Sequence, residues 1–486
     1  MCLLDFYIIC SIIILLQRKG LPIDNLKMDF QDLQTQKHKE MTETPIPQLV
    51  KKLSTPTLIT MLITSFYNLC DTYFVGKLGT EQSAAIGIVF SIMALIQAIG
   101  FCMGMGSGNY SSRLLGEKNP DTAESVASIG FFSSIILGLI LTVFGVIYIE
   151  DIVILIGASE NVAPYAVSYG KIILYGAPYM AASFVLNNLL RSQGNPCMGM
   201  IGIGVGAILN IVLDPILIFG FKLGISGAAI ATIASQAISF VVLIFLVNGK
   251  HGLTKVSIKK FRFNIKLYIE ILRTGLPSFY RQGLACASTI ILNIVAREFS
   301  DAAVAALGIV SRVFHFMFSI MLGIGQGFQP ISGFNYGAKI YNRVTEAFWF
   351  CVKYTTIILS IVGVFAFIFA PQLIAVFRND TDVIAIGALS LRITCVVLPF
   401  IGWSVMCNML FQSIGKGLFC TIVSLSQQGF CLIPLVYILP KYFKLFGLQI
   451  SNPISIFLTF LLSIPLGIIV LKELRQLAKG CENNAI

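Results

Sequence analysis

The sequence predicts an all-α membrane protein, with twelve transmembrane helices in two six-helix lobes related by a parallel internal repeat. Three observations predict it. The 486 residues are 56% hydrophobic and only 12% charged, with a mean hydropathy of +0.85; a soluble domain carries about 25% charged residues. Uncharged runs of about 20 residues recur, the length at which a helix crosses a bilayer. The chain also repeats itself without a gap at a shift of 221 residues. That shift superposes Pro56 on Pro277, Ala85-Ile86-Gly87 on Ala306-Leu307-Gly308, Gly104 on Gly325, Ser111 on Ser332, Pro178 on Pro399, Asn187 on Asn408 and Gly194 on Gly415.

Taken in order, the apolar segments fall at 56–76, 83–107, 126–149, 165–190, 198–220 and 225–248, then 277–297, 303–330, 347–370, 384–412, 418–438 and 452–472. The first six make an N-lobe (45–248) and the last six a C-lobe (276–475). Between them lies a basic linker (249–275) with Lys250, Lys255, Lys259, Lys260, Arg262, Lys266 and Arg273. Its part Ile265–Leu272 reads as an amphipathic helix at the membrane interface. Residues 1–44 read as an N-terminal extension outside the core: the apolar run Leu3–Leu16 is short for a span and contains Asp5. Residues 476–486 form a tail. Six spans per repeat keep both halves in one orientation, so the lobes are related by an axis along the membrane normal and enclose a central cleft.

Charge sets the topology. Alternate connections carry roughly 18 and roughly 6 Lys or Arg residues, which places both termini and the linker in the cytoplasm of a cell (plasma or inner) membrane protein. The same rule accounts for the net charge of +11 without nucleic acid as a partner. Twelve cysteines include no Cys-x-x-Cys pair, and His315 is the one histidine of three within a span. Neither a zinc site nor an intramembrane hydrolase is indicated, and the chain is not expected to be an enzyme or to carry a cofactor.

Two acids stand out in the apolar background. Asp214 interrupts about 20 uncharged residues, and an acid there costs about 2.5–3.5 kcal/mol on insertion scales. Asn210 lies one turn earlier on the same helix face, and Tyr67 lies one turn before Asp71. The repeat places Leu292 opposite Asp71 and Leu435 opposite Asp214, so both acids are additions to the N-lobe rather than scaffold. Asp71, close to Gly76 and Lys77, has an alternative role as a helix cap. Asn187, Tyr169 and Thr232 add amide and hydroxyl oxygens; with the acids they make hard ligands for a proton or Na⁺. Pro56 can bend or pivot the first span. Arg281 and Lys353 read as snorkelling near helix ends, whereas Arg312 with His315 is less easily dismissed. Gln282, Gln326, Gln329, Gln427 and Gln428 would give the C-lobe a polar, uncharged inner wall.

The stretches Tyr67-Asn68-Leu69-Cys70-Asp71-Thr72 with Val75-Gly76-Lys77-Leu78-Gly79, Asn187 to Gly194, Asn210 to Pro215 and Gly224 to Ala229 resemble multidrug and toxic compound extrusion (MATE) transporters from about residue 45 to 475. The resemblance implies a V-shaped cleft and export of cationic or polyaromatic compounds in exchange for H⁺ or Na⁺ by alternating access. It implies a cation site at Asp71, Asn210, Asp214 and Thr232 between spans 1, 4, 5 and 6, which could hold Na⁺, with Tyr67, Tyr169 and Asn187 around it and Pro56 as a hinge. A second branch of the family carries acids in spans 7 and 10, which this chain lacks after Pro277 and Pro399, so coupling is expected in the N-lobe. A lipid-linked oligosaccharide flippase, the nearest alternative, would need a basic cleft. The expected partners are small organic cations and the lipid bilayer, with the chain acting as a monomer.

Overall fold

A computed structural model describes residues 30–483, except 250, 251 and 263. Helix α1 (Phe30–Glu43) precedes the N-lobe: α2 (Ile46–Gly76), α3 (Thr80–Gly116), α4 (Pro120–Ile147), a short α5 (Ile149–Ile156), α6 (Ala163–Ser192), α7 (Pro196–Pro215) and α8 (Gly224–Asn248). The C-lobe follows: α9 (Ile265–Arg297), α10 (Asp301–Gly337), α11 (Tyr341–Ile368), a short α12 (Ala370–Phe377), α13 (Thr381–Ser413), α14 (Gly417–Leu425) and α15 (Leu432–Asn483). Among the described residues, nine helices are long and apolar enough to span by composition. The other three crossings are α2 and α9, whose polar residues lower their hydropathy, and the second half of α15. That helix breaks at Lys444, where the backbone turns to φ 50°, so its first part completes the crossing begun by α14 and its second part makes another.

The repeat extends to the helix ends. Shifted by 221, the bounds of α3, α4 and α5 fall on those of α10, α11 and α12. Turns match as well: Lys118 and Lys339 are left-handed at φ 58° and 61°, and Gly194 and Gly415 at φ 77° and 83°. The lobes meet along two equivalent seams, α3 on α9 and α2 on α10. Glycine permits the approach. A Cβ on Gly116 would lie 2.1 Å from the Phe334 carbonyl oxygen, and one on its mate Gly337 would lie 2.0 Å from that of Arg113. These are the same contact made twice across a pseudo-two-fold axis, as parallel repeats require.

One face of the molecule carries the basic connections, and there the lobes are tied together. Arg113 Nη2 donates to Glu270 Oε1 at 2.9 Å, and Arg191 donates to Gln326. Inter-lobe hydrogen bonds run from this basic face up to Ser65–Ser319 at 3.3 Å and Gln282–Gln97 at 3.3 Å. Nearer the far face, Tyr73, Phe90, Ile290, Ile294 and Phe316 are exposed. The arrangement is a V joined at the basic face.

Two expected boundaries differ. Residues 1–29 lie outside the described residues, but the rest of the expected extension is not separate from the core. Met41 is 1% exposed, the Asn335 amide donates to its carbonyl at 3.0 Å, and Arg343 Nη2 donates to the Thr44 carbonyl at 2.6 Å. An amphipathic helix gains more by covering the ends of α6 and α10 than by remaining in water. The linker also ends earlier than 275. Ile265–Leu272 is the first part of α9, capped by Asn264 Oδ1, which accepts from Lys266 N at 3.1 Å. Residues 252–257 fold back on the N-lobe, where Leu253 N donates to Gln193 Oε1 at 2.8 Å.

Candidate functional site

The site begins with how α7 ends. Pro215 has no N–H to continue the α-helical ladder, and the backbone widens into a π turn over Ile216–Gly220. The start of α8 is pressed against that turn: a Cβ on Gly227 would lie 2.8 Å from the Leu217 carbonyl. This contact sets Thr232 of α8 beside Asn210 of α7. Asn210 Nδ2 donates to Asp214 Oδ1 at 3.4 Å and to Thr232 Oγ1 at 3.5 Å. Thr232 Oγ1 donates to the Ala228 carbonyl at 3.0 Å. Asp214 is fully buried and Asn210 2% exposed.

Two more helices close the site. Tyr169, two turns into α6, is fully buried and lies beside Thr232, within electrostatic range of Asp71, Asp214 and Tyr67. Tyr67 and Asp71 approach from α2, Tyr67 within range of both acids and Asp71 within range of Asp214. Tyr67 and Asp71 of α2, Tyr169 of α6, Asn210 and Asp214 of α7 and Thr232 of α8 thus lie near one another. Asp71 does not cap its helix. The last turn of α2 is closed by Lys77 N, which bonds to the Phe74 and Val75 carbonyls, and a carboxylate cannot satisfy carbonyls or favour a helix C-terminus.

The hydrogen-bond accounting is unbalanced here. Asp71 Oδ1, Tyr169 Oη, Asn210 Oδ1 and Asp214 Oδ2 are all buried without a hydrogen-bond partner. Buried polar atoms are rarely left unpaired, because each such atom costs about 1–3 kcal/mol. Three of the four are acceptor oxygens, and the fourth, the Tyr169 hydroxyl, supplies one neutral donor, too few for all three. Such a set takes a cation or a proton.

Asn187 does not join the cage. It is 18 residues from Tyr169 on the same helix, a rise of about 27 Å, and its amide packs at the start of α7, where a Cβ on Gly199 would lie 2.7 Å from Nδ2. Four oxygens can meet from four helices, but not from two ends of one.

Pro56 is buried mid-helix in α2. Thr57, Thr60 and Thr64 donate back to the carbonyls of Leu53, Pro56 and Thr60 at 2.8–2.9 Å, and such back-bonding bends helices. The level of Pro56 is also where α2 is gripped. A Cβ on Gly323 or Gly327 of α10 would lie 2.5 Å from the Cα of Leu58 or Ser54. Sequence reasoning overlooked this pair, although Gly323-x-x-x-Gly327 is the usual spacing for close membrane-helix approach.

The expected glutamine wall is partly used up. Gln326 accepts from Arg191, and Gln329 donates to Gln412 at 2.9 Å. Arg312 and His315 are exposed. Among the described residues no group of three or more His, Cys, Asp or Glu side chains is placed to bind a metal.

The MatE family model matches this chain twice, at residues 56–216 and 277–438. The multidrug export protein MepA of Staphylococcus saprophyticus is 29% identical over 396 residues, covering 81% of this chain and 87% of that protein. MepA of Staphylococcus aureus is 28% identical over 408 residues, covering 83% and 90%. Among solved structures, a multidrug resistance MATE family transporter in an outward-facing conformation superposes with a TM-score of 0.85 at 26% identity, covering 90% of this chain and 98% of that one. A crystal structure of MATE in the bent conformation gives 0.85, covering 91% and 99%. The chain thus belongs to the MatE family and is a secondary active multidrug efflux transporter in the membrane, not an enzyme.

Proposed function

We propose that the chain exports cationic or polyaromatic organic compounds in exchange for H⁺ or Na⁺, and that the coupling ion is held by Asp71, Asn210, Asp214 and Thr232. The observation that carries this reading is the cluster of four unpaired buried polar atoms in the N-lobe. The basic face lies toward the cytoplasm of the cell membrane, as positive charge is retained inside, and the chain works as a monomer. An ion arriving through the cleft from the far face satisfies the unpaired oxygens. Neutralised, the site no longer holds an organic cation, and Tyr67 and Tyr169 are free to repack around the smaller ion. The movement passes down α2 to Pro56, where Gly323 and Gly327 provide the fulcrum. Coupling arises because ion and substrate differ in affinity for the two states of the lobes.

The test is transport in proteoliposomes under separately imposed gradients. Ethidium accumulation driven by a pH gradient without Na⁺ identifies H⁺ as the coupling ion; accumulation driven only by a Na⁺ gradient identifies Na⁺. Accumulation that follows neither gradient refutes exchange.

A further inference from the structure

The C-lobe holds a half-buried charge that the proposed cycle does not use. Three basic side chains within the spans have an evident partner. Lys171 pairs with Glu150 at 3.6 Å, Arg191 bonds to Gln326 and Asn188, and Arg392 stacks over Phe367 and donates to its carbonyl. Arg312 and Lys353 are exposed. Arg281 is half-buried and, among the described residues, makes neither a hydrogen bond nor an ion pair.

Snorkelling does not explain Arg281. The helix that carries it begins at Ile265 rather than near Pro277, so Arg281 stands 16 residues along it, a rise of about 24 Å. It shares a helix face with Ser278 three residues earlier, and Ser278 Oγ accepts from Gln412 Nε2 on α13 at 2.8 Å. It also lies within electrostatic reach of Cys420 on α14, whose thiol donates to the Asn408 carbonyl at 3.5 Å. Arg281 therefore stands on the face of α9 that meets α13 and α14. No acid there can balance it: Glu298, Asp301, Glu346, Asp380, Asp382 and Glu473 all lie outside the apolar stretches.

An ionisable side chain within the membrane that lacks a protein partner marks a ligand site. A guanidinium offers a planar fork of donors that matches a carboxylate, sulfonate or phosphate in two parallel hydrogen bonds. The lobes also have opposite surpluses, unpaired acceptors in the N-lobe and an unpaired donor in the C-lobe. We propose that Arg281 recognises an acidic group on transported compounds, so that the C-lobe receives the anionic end of a zwitterion whose cationic end faces the N-lobe acids. This rests on the export function proposed above and adds a substrate class to it.

A zwitterionic rhodamine with a free carboxylate and its methyl ester, which is purely cationic, form a matched pair. Both are assayed in phosphatidylcholine proteoliposomes, where no anionic headgroup competes. Arg281→Gln should raise KM for the carboxylate dye by about 10-fold or more, the cost of losing a charge-assisted hydrogen bond. It should leave the ester within twofold. Arg281→Lys keeps the charge and loses the fork, so its KM for the carboxylate dye should fall between those of wild type and Arg281→Gln. Equal effects on both dyes in either variant, or no effect on either, overturn the proposal. Wild-type export of the ester but not of the carboxylate dye overturns it too, while leaving cation export intact. If the wild type exports neither dye under any gradient, the export function fails and the proposal falls with it.

Discussion

Asp71 and Asp214 are two carboxylates within electrostatic range of each other in an apolar lobe, and burying them without a partner is costly. The repeat supplies the natural control, since the C-lobe carries Leu292 and Leu435 at the equivalent positions. Asp71→Leu should therefore fold and melt no lower than wild type, because it removes a buried charge, yet lose gradient-driven export. A thermal melt and a transport assay on the same preparation check this; a large drop in melting temperature would make Asp71 structural. The residues of the cage were legible in the sequence. Four-residue spacing joined Asn210 to Asp214 and Tyr67 to Asp71, and the repeat marked the acids as additions. Asn187 was misplaced because residue type says nothing of height in the membrane, and only the 18-residue distance from Tyr169 does. From the sequence Arg281 looks like a snorkelling end residue because the apolar run begins at Pro277, whereas α9 starts twelve residues earlier at Ile265.

At the scale of elements, the grip on α2 is testable. Gly327→Leu forces a side chain into the Ser54 backbone and should cost about 1–3 kcal/mol, as overpacking does, read as a lower melting temperature. Gly283, at which a Cβ would meet nothing within 4 Å, is the control and should tolerate Ala. Docking of α1 should depend on pH. Burial pushes the Glu40 carboxyl up, but Lys37 at 3.0 Å and the Lys52 hydrogen bond outweigh it, so Glu40 is held below its ordinary value of 4.5. A group lowered by folding contributes stability above its unfolded pKa and loses it as pH falls through the folded value. Protection of the amides at residues 32–44, taken relative to their intrinsic exchange rate at each pH, should therefore stay high at neutral pH and fall only as pH drops below 4.5. Span positions were legible from hydropathy, since each run has to cover the bilayer. α1 and the first turns of α9 were not, because amphipathic stretches that pack on protein and those that lie on lipid share one pattern.

For the whole molecule, the pseudo-two-fold seam gives two lobes a common hinge region and one ionic tie. Arg113–Glu270 is the inter-lobe ion pair among the described residues, with Arg113 also stacked over Tyr110 at 5.0 Å. Glu270→Gln weakens a charged hydrogen bond by about 1.5–3 kcal/mol and should shift the lobes toward closure at the far face. Spin labels at Tyr73 and Ile294, repeat mates that are 61% and 55% exposed, should then report a larger population of short distances. The two lobes and their axis were legible from the 221-residue shift; which end of the V is joined was not, since it depends on side chains meeting across the seam. The most direct test of coupling through the N-lobe is simultaneous measurement of ethidium export and ion entry in proteoliposomes bearing wild type or Asp214→Asn. Wild type should show both fluxes linked, and Asp214→Asn should show neither above protein-free vesicles. Gradient-driven export by Asp214→Asn at the wild-type rate would contradict the account.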